Sequence, residues 1–357
     1  MKILHIITNT ELGGAQTVCI SLANMASDEG NIVAVASMKG GYLWNNLAHS
    51  VIRFKLKNMI KPISLLQDLK CYFELKKVIN TFYPDIIHLH SSKAAVLGRL
   101  AGKKYKRSIV YTVHGFDSIC LQHKIFLPFE RFLQRFCGAI VAVSKYDEKK
   151  LYKEKITKNV KTIYNGINLA FADSQCPFDS SSYKKVIMTI ARISEQKRFQ
   201  SFLSVASDPV MKDYLFVWVG GSAEKSMDEI KEEYYIPSNV LLLGDYPNAS
   251  GILPYCDLFV LFSNYEGLPM TIIEAMAHKK AIVASNVGGV PELVDETNGV
   301  LVNSDSEAVT AIDKLLNKPE LIEKMGQVSL KKYMQFFTME NMWEKYRSLY
   351  SELYCDE

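Results

Sequence analysis

A short apolar run followed by a polar turn and a helix start is the feature that most restricts how this chain can fold. The segment Asp257–Phe262 is apolar after its first residue, which is typical of a parallel strand buried on both faces. A turn containing Gly267 follows, and Pro269 lies where a helix running to His278 would begin. Open α/β sheets bind ligands where strands end, and the free amides of a helix start favour a phosphate. The segment therefore predicts an anion-binding site.

Two carboxylates flank this turn, Glu266 on the loop and Glu274 in the helix, and each can accept hydrogen bonds from hydroxyl groups. A phosphate together with several hydroxyls describes a nucleotide sugar. The stretch Ser263–Ala277 resembles the E-x7-E signature of family 4 retaining glycosyltransferases, which have the GT-B fold. The resemblance implies that Glu274 binds the ribose and Glu266 the donor sugar. In such a loop the donor-binding set would also include Gly267, Leu268 and Pro269.

A pair of basic residues, Arg192 and Lys197, follows the predicted strand Val186–Ile190. Fixed cations of this kind suit a diphosphate, Arg through two parallel hydrogen bonds and Lys as a point charge. The family has an R-x4-K pair at this location that contacts the donor diphosphate. The glycines that usually flank the pair are replaced by Ala191 and Arg198. Ordinary surface charges are the alternative interpretation.

Two motifs in the first half resemble further parts of the family site. Gly13 and Gly14 lie between the first strand and first helix, where backbone can approach the diphosphate or acceptor. His114, in a His-Gly pair after a strand, resembles the histidine that lies near the anomeric centre in this family. A structural turn and a structural histidine remain the alternatives.

We expect no metal site. His88 and His90 alternate along one strand, so they would share a face, but zinc needs more ligands at a convincing spacing. No Asp-x-Asp occurs in the chain, which fits a metal-independent enzyme whose helix start and cations stabilise the leaving diphosphate. The loop Val287–Glu292 would lie near the donor, although turn chemistry alone could explain its glycines.

Alternating strand and helix patterns run through both halves and predict the fold class, α/β with two Rossmann-like, doubly wound parallel sheets. The resemblance to the GT-B family implies that the two domains face each other across a cleft. We predict an acceptor-binding domain over residues 1–168, a linker over 169–184 and a donor-binding domain over 185–335. The aromatic tail, residues 336–357, would form a helix that packs back on the first domain, as in GT-B enzymes.

Charge is distributed unevenly and bears on the partners. Residues 1–168 hold 25 Lys and Arg against 11 Asp and Glu, whereas residues 169–357 hold 17 against 27. An anionic membrane surface fits the basic half better than nucleic acid, for which no motif is present. Basic amphipathic segments at Phe54–Lys77 and His123–Arg135 could lie on that surface or simply cover a sheet. Seven scattered cysteines, with no signal peptide and no spanning segment, predict a cytoplasmic, peripheral protein.

The sequence thus predicts a retaining, metal-independent glycosyltransferase without a cofactor, whose donor is a nucleoside-diphosphate sugar, preferably a UDP-sugar. The predicted catalytic set is His114, Arg192, Lys197 and Glu266. The acceptor would be a glycan, linked to polyprenyl diphosphate, in bacterial surface polysaccharide or O-antigen assembly. Two alternatives remain: another GT-B enzyme such as a nucleotide-sugar 2-epimerase, and a non-catalytic sugar-nucleotide-binding subunit.

Overall fold

A computed structural model describes residues 1–117, 126–169 and 175–355. These residues form two compact units. The first unit is Met1–Gly166 together with Met339–Glu357, and the second is Ile167–Thr338. The division therefore falls at 166/167 and 338/339, against the predicted boundaries at 168 and 335. The predicted linker belongs to the second unit, and residues 170–174 of it lie outside the described part of the chain.

The first unit is built on a parallel sheet in the order β3-β2-β1-β4-β5-β6-β7. The strands are β1 (Lys2–Ile6), β2 (Ile32–Met38), β3 (Ile52–Leu56), β4 (Ile86–Leu89), β5 (Ile109–Val113), β6 (Ala139–Ala142) and β7 (Val160–Thr162). The central strands β1, β4, β5 and β6 are almost wholly buried. Runs of Val, Ile and Ala without polar alternation form such strands because helices cover both faces of the sheet.

Helices connect these strands, and the last helix of the chain completes the unit. They are α1 (Gly14–Asp28), α2 (Tyr42–Asn46), α3 (Leu65–Phe82), α4 (Ser92–Ala101), α5 (Leu127–Leu133), α6 (Lys145–Lys153) and α12 (Met339–Cys355). Trp343 Nε1 of α12 donates to Glu29 at 2.7 Å, and Tyr346 and Tyr350 of α12 are fully buried. The aromatic tail therefore packs on the first unit, as the sequence predicts.

The second unit has a six-stranded parallel sheet in the order β10-β9-β8-β11-β12-β13. Its strands are β8 (Lys185–Ile190), β9 (Tyr214–Val219), β10 (Val240–Gly244), β11 (Leu258–Leu261), β12 (Ala281–Ser285) and β13 (Gly299–Val302). Its helices are α7 (Phe199–Ala206), α8 (Met227–Glu233), α9 (Met270–Ala277), α10 (Asp305–Leu316) and α11 (Pro319–Phe336). The strand order reverses between β8 and β11, and ligands bind at the carboxyl ends of strands at such a point.

One predicted element is wrong in part. The basic segment Phe54–Lys77 is not a single amphipathic helix, because Ile52–Leu56 forms β3 and the helix begins at Leu65. β3 is an edge strand with charged Arg53 and Lys55 on it, a composition that hides its pairing with β2. In the described part of the chain, no helix combines the length and apolar character that crossing a bilayer requires.

Candidate active site

The turn after β11 holds the first predicted carboxylate in a charged hydrogen-bonded pair. Glu266 Oε1 accepts from Lys197 Nζ at 2.5 Å and from Ser263 Oγ at 2.6 Å. The Lys197 side chain is 17% exposed and that of Glu266 is 7% exposed. Ser285, at the end of β12, fixes Ser263 by accepting from its backbone amide at 3.1 Å. The Lys197 ammonium uses one of its three donors on Glu266 and keeps the others for a ligand.

The loop after β12 packs directly on the backbone of Glu266. Gly288 has φ +56°, and a Cβ there would lie 1.8 Å from the Glu266 carbonyl oxygen. Gly289 donates its amide to the same oxygen at 3.3 Å. Glycine is therefore required at Gly288 for both its backbone conformation and the close approach. The predicted loop Val287–Glu292 lies beside the candidate site and helps to hold Glu266 in place.

Arg192 lies on the loop after β8, which is fixed by the loop after β9. Gly220 has φ +127°, and a Cβ there would lie 2.2 Å from the carbonyl oxygen of Ala191. Ile193 donates its amide to Gly221 at 2.8 Å. The Arg192 side chain is exposed and makes no hydrogen bond or ion pair with the described residues. It is available to an anion on a backbone that is held on both sides.

Arg198, at a position that the family usually fills with glycine, adopts the backbone conformation that glycine favours. Its φ is +44° and its ψ +49°, in the left-handed helical region. Its guanidinium pairs with Asp305 at the start of α10, at 2.8 Å. The loop geometry typical of glycine is thus kept, at a cost in strain of about 1–2 kcal/mol.

Glu274 lies in the second turn of α9, and Pro269 occupies the position before the first helical residue. The helix begins at Met270, as predicted, and ends at Ala277, one residue before the predicted His278; no side chain caps its first amides. Leu268 is buried, so it anchors the loop between Gly267 and the helix. The Glu274 carboxyl is partly buried and has no hydrogen-bond partner among the described residues. Burial raises its pKa to about 7.

The two glycines predicted for the first unit lie at the start of α1. Gly13 is the residue before the helix, with extended backbone at φ −178°, and Gly14 is its first residue. No acidic residue occupies the first turn and no side chain caps it. The amides at this end of a 15-residue helix are therefore open to an anion or to acceptor hydroxyls.

His114 follows β5 and is partly buried beside the fully buried histidines of the first unit. His114 Nε2 lies 3.3 Å from His90 Nδ1, and His90 Nε2 lies 3.0 Å from His5 Nδ1. Burial lowers the pKa of His114 to about 4 and that of His5 to about 3. Burial, followed by the charges of the neighbouring histidines, lowers the pKa of His90 far below its usual value. These imidazoles are neutral at pH 7.

His88 of β4 and His90, the residue after that strand, lie side by side as the alternation predicts, with ring centroids 3.9 Å apart. Tyr350 and Thr112 bond to its two ring nitrogens at 2.6 and 2.7 Å. Among the described residues, one group could hold a metal: His5, Cys19 and His90, with ligand atoms within 4.8 Å of one another. Three ligands are one short of the tetrahedral set that structural zinc requires. The expected absence of a metal stays a prediction.

The structure gathers Lys197 and Glu266 into direct contact and fixes the backbone of Arg192 and the helix of Glu274 within the same unit. Sequence reasoning missed the supporting groups Ser285 and Gln196. Gln196 Nε2 donates to the Tyr265 carbonyl at 3.0 Å and so ties the two loops together. Its position at the carboxyl end of a strand in a parallel sheet is the signal that could have found Ser285.

Comparison with known proteins covers both units. The family described as Glycosyltransferase Family 4 matches residues 12–171, and the family described as Glycosyl transferases group 1 matches residues 177–332. An O-antigen biosynthesis glycosyltransferase of Escherichia coli, WbnH, is 29% identical over 352 residues, 96% of this chain and 97% of the relative.

A second Escherichia coli relative is named UDP-Gal:alpha-D-GlcNAc-diphosphoundecaprenol alpha-1,3-galactosyltransferase. It is 26% identical over 382 residues, 99% of this chain and 97% of the relative. Among solved structures, Anabaena HepE in complex with UDP and glucose superposes with a TM-score of 0.86 at 22% identity. That superposition covers 98% of this chain and 99% of HepE, and it supports a common fold.

Proposed function

This chain is a family 4-like glycosyltransferase with the GT-B fold, and on that basis we propose a specific reaction for it. It moves a sugar from a UDP-sugar to a lipid-linked glycan during assembly of a bacterial surface polysaccharide, with retention of the anomeric configuration and without a metal. The observation that carries the proposal is the Ser263–Glu266–Lys197 arrangement beside an unpaired Arg192.

The charges of the second unit suit a nucleoside-diphosphate sugar. Lys197 keeps two donors and Arg192 keeps its whole guanidinium for the diphosphate, and the uncapped start of α9 adds its positive end. The Glu274 carboxyl, one helical turn further on, can accept from ribose hydroxyls, and Glu266 from a sugar hydroxyl. Together the two cations and the helix end neutralise the departing diphosphate.

The proposed chemical step needs no protein nucleophile. The acceptor hydroxyl oxygen attacks the anomeric carbon on the face that the diphosphate leaves, and the bond between that carbon and the diphosphate oxygen breaks. The acceptor proton passes to the departing diphosphate oxygen. We assign to His114 a hydrogen bond to a sugar oxygen near the reacting carbon, because its Nδ1 has no partner among the described residues.

The names of two relatives support the proposed classes of donor and acceptor. The name of the galactosyltransferase of 26% identity specifies a UDP-sugar donor and a sugar on diphosphoundecaprenol. The O-antigen glycosyltransferase of 29% identity supports the same pathway class. A polyprenyl diphosphate is confined to a membrane, so the enzyme must work at a lipid surface.

A basic and apolar face of α3 supports that location. The large apolar side chains of this face stand in solvent, with Leu65 87% and Phe73 58% exposed. Leu66 and Leu69 lie on the same side of the helix, because positions three and four apart are neighbours. Four exposed lysines surround them: Lys61, Lys70, Lys76 and Lys77. We propose that this α3 face rests on an anionic bilayer, each lysine contributing about 1 kcal/mol of attraction.

A donor screen followed by a transfer assay tests the reaction. Thermal shifts with UDP-, GDP- and ADP-sugars identify the donor, and the transfer of its labelled sugar to a polyprenyl-diphosphate-linked acceptor is then measured with and without EDTA. The double variant Arg192→Ala/Lys197→Ala should lose at least about 10³-fold in kcat/KM, since one donor to a developing oxyanion contributes about 10²- to 10³-fold. Lys212→Ala, an exposed lysine of the same unit, is the matched control.

Several outcomes contradict the proposal. Loss of transfer in EDTA refutes metal independence, and activity of the double variant within tenfold of the native chain refutes the role of the cations. Turnover of the donor without any acceptor indicates an epimerase, and donor binding without turnover a non-catalytic subunit. An inverted anomeric configuration in the product, read by NMR, refutes retention.

Liposome flotation tests the α3 face separately. The native chain should float with vesicles that contain anionic lipid, and binding should weaken as salt screens the lysines. Leu66→Glu/Phe73→Glu should abolish flotation, whereas Tyr235→Glu, at a still more exposed aromatic residue in the second unit, should not. Equal flotation of both variants would refute the membrane role of this helix.

A further inference from the structure

The segment that leads from β3 into α3 carries exposed apolar side chains directly beside exposed lysines. In this segment Ile63 is 65% exposed, Leu66 is 75% exposed, and Leu65 is the most exposed of the three. Lys57 and Lys61 are also exposed, and neither forms an ion pair with a described residue. We call residues 57–66 the entry segment of α3. A ligand that matches this segment combines an apolar chain with negative charge.

The ammonium of Lys93, in the first turn of α4, holds the entry segment in place. Lys93 Nζ donates to the carbonyl oxygens of Ile60 and Pro62 at 3.0 and 2.5 Å. The same ammonium donates to Asp68 Oδ1 at 2.6 Å, and Asp68 Oδ2 accepts from the amide of Ser64 at 3.1 Å. The backbone that presents the apolar side chains is therefore ordered before any ligand binds, which lowers the entropic cost of binding.

The entry segment lies at the edge of the sheet that also holds His114. The strands of the first sheet are parallel, so α3 and α4 both begin at its carboxyl edge, and His114 follows β5 at the same edge. Lys93 is three residues after His90, whose Nδ1 lies 3.3 Å from His114 Nε2. The exposed apolar side chains are thus at the end of the first unit to which the acceptor sugar is assigned.

We propose that the entry segment binds the polyprenyl chain of the lipid-linked acceptor beside its diphosphate. Ile63, Leu65 and Leu66 contact the chain. Lys57 and Lys61 compensate the charge of the diphosphate. The inference rests on the proposed function and specifies how its acceptor is recognised. Burial of about two CH2 groups of the chain is enough for a tenfold gain in affinity.

The rest of the α3 face differs from the entry segment and suits a bilayer. Leu69 and Phe73 follow within the helix, with Lys70, Lys76 and Lys77 around them. A fluid bilayer adapts its surface to a protein and gains little from a fixed backbone. A single chain attached to one diphosphate gains from side chains that are already in place. We therefore assign the two parts of the face to different ligands, the first to the acceptor lipid and the second to the membrane.

Calorimetry without vesicles or detergent tests the inference. Saturating UDP first occupies the donor site, and dimethylallyl, geranyl and farnesyl diphosphates, which differ only in chain length, are then titrated. The native protein should bind farnesyl diphosphate about tenfold more tightly than dimethylallyl diphosphate. In Ile63→Ser/Leu65→Ser this ratio should fall below about twofold. Lys57→Gln/Lys61→Gln should weaken all three ligands to the same extent.

Leu69→Ser/Phe73→Ser is the matched control, because it removes two exposed apolar side chains one and two turns further along the same helix. It should weaken flotation with anionic vesicles and keep the preference for the longer chain. Ile63→Ser/Leu65→Ser should lose the preference and keep most of the flotation. In the transfer assay the same variant should raise the KM for the polyprenyl-linked acceptor by about tenfold, with the KM for the UDP-sugar changed less than about twofold.

Equal affinity of the native protein for the three diphosphates would overturn the inference, as would an unchanged preference in Ile63→Ser/Leu65→Ser. Loss of the preference in the control variant would also overturn it, because any apolar side chain of the helix would then serve. Transfer to a polyprenyl-linked acceptor without a chain-length preference would leave the proposed function standing alone. If the preference behaves as expected while no sugar is transferred, the isoprenoid site stands and the proposed function fails.

Discussion

Both units bury ionisable side chains near the ends of their central strands, but they treat the charge differently. In the second unit Lys197 and Glu266 form an ion pair whose nitrogen and oxygen atoms are 2.5 Å apart. In the first unit His5 and His90 have no countercharge, and burial keeps them neutral. At the ion pair, Lys197 can exchange the Glu266 carboxylate for another anion. The buried histidines bond instead to one another and to the hydroxyl groups of Tyr350 and Thr112.

The comparison predicts, as its largest effect, that acid destabilises the first unit. The folded pKa values of His5, His88, His90 and His114 lie below the unfolded value of about 6.5, so the unfolded chain binds more protons below that pH. Stability is complete above pH 6.5 and falls by about 1.4 kcal/mol per histidine for each pH unit below it. Between pH 6.5 and 5 the loss from the four histidines together should reach about 7 kcal/mol, because the full slope is reached only well below pH 6.5.

Hydrogen exchange of peptides covering residues 86–114, corrected for intrinsic rates, measures this loss. His90→Gln should reduce it by about a quarter, since it removes one of four groups. His49→Asn should leave it unchanged. Equal protection of this region at pH 7 and pH 5 would show that its histidines are not buried as neutral groups.

The second prediction compares the loss of a buried ion pair with the loss of an exposed one. Lys197→Met leaves the Glu266 carboxylate buried without its cation and should destabilise the second unit by about 3 kcal/mol. Glu266→Gln should cost less, because the partly exposed ammonium can turn towards water. The double variant should recover most of the stability and none of the activity. Lys184→Met, which breaks the exposed pair with Asp213, should change stability by less than about 1 kcal/mol in urea unfolding.

Glu274 provides the opposite pH dependence within the second unit. Burial raises its folded pKa to about 7, above the unfolded value, so its contribution to stability falls as pH rises from about 4.5 to 7. Glu274→Gln should therefore stabilise the free protein at pH 8 by about 1–2 kcal/mol, discounted for partial exposure.

The affinity for the donor should rise with pH, because the ionised Glu274 carboxylate is the better acceptor for ribose hydroxyls. Binding of UDP-glucose, whose phosphates do not titrate near neutrality, should tighten through pH 7 in the native chain and stay constant in Glu274→Gln. Calorimetry from pH 6 to 8 measures both. A pH-independent native affinity would contradict the role given to Glu274.

The smallest effect concerns Arg198, whose left-handed backbone is strained. Arg198→Gly and Arg198→Ala both lose the ion pair with Asp305, but only glycine relieves the strain. The glycine variant should be more stable than the alanine variant by about 1 kcal/mol. Equal unfolding midpoints would mean that the loop relaxes without the glycine.

Local patterns predicted the fold and the order of strand, turn and helix around Glu266, because their evidence lies in short stretches. The strand, turn and helix around Glu266 follow one another directly, and the structure has them in that order. The contact between Lys197 and Glu266 joins residues 69 apart, and that between His5 and His90 joins residues 85 apart. No short pattern encodes such pairs, because strand order brings them together. The isolated His5 therefore gave no signal in the sequence.

The helix α12 has a consequence for how the protein is made. It gives the first unit Tyr346, which bonds to Thr112, and Tyr350, which bonds to His88. The second unit closes on itself where Ile167 donates to Phe337 at 3.0 Å, so it is an insertion between two parts of the first. The first-synthesised strands thus stay without their last covering helix until translation is almost finished. A nascent chain stalled before Met339 would expose to chaperones the surface of the first unit that α12 covers, which includes His88 and Thr112.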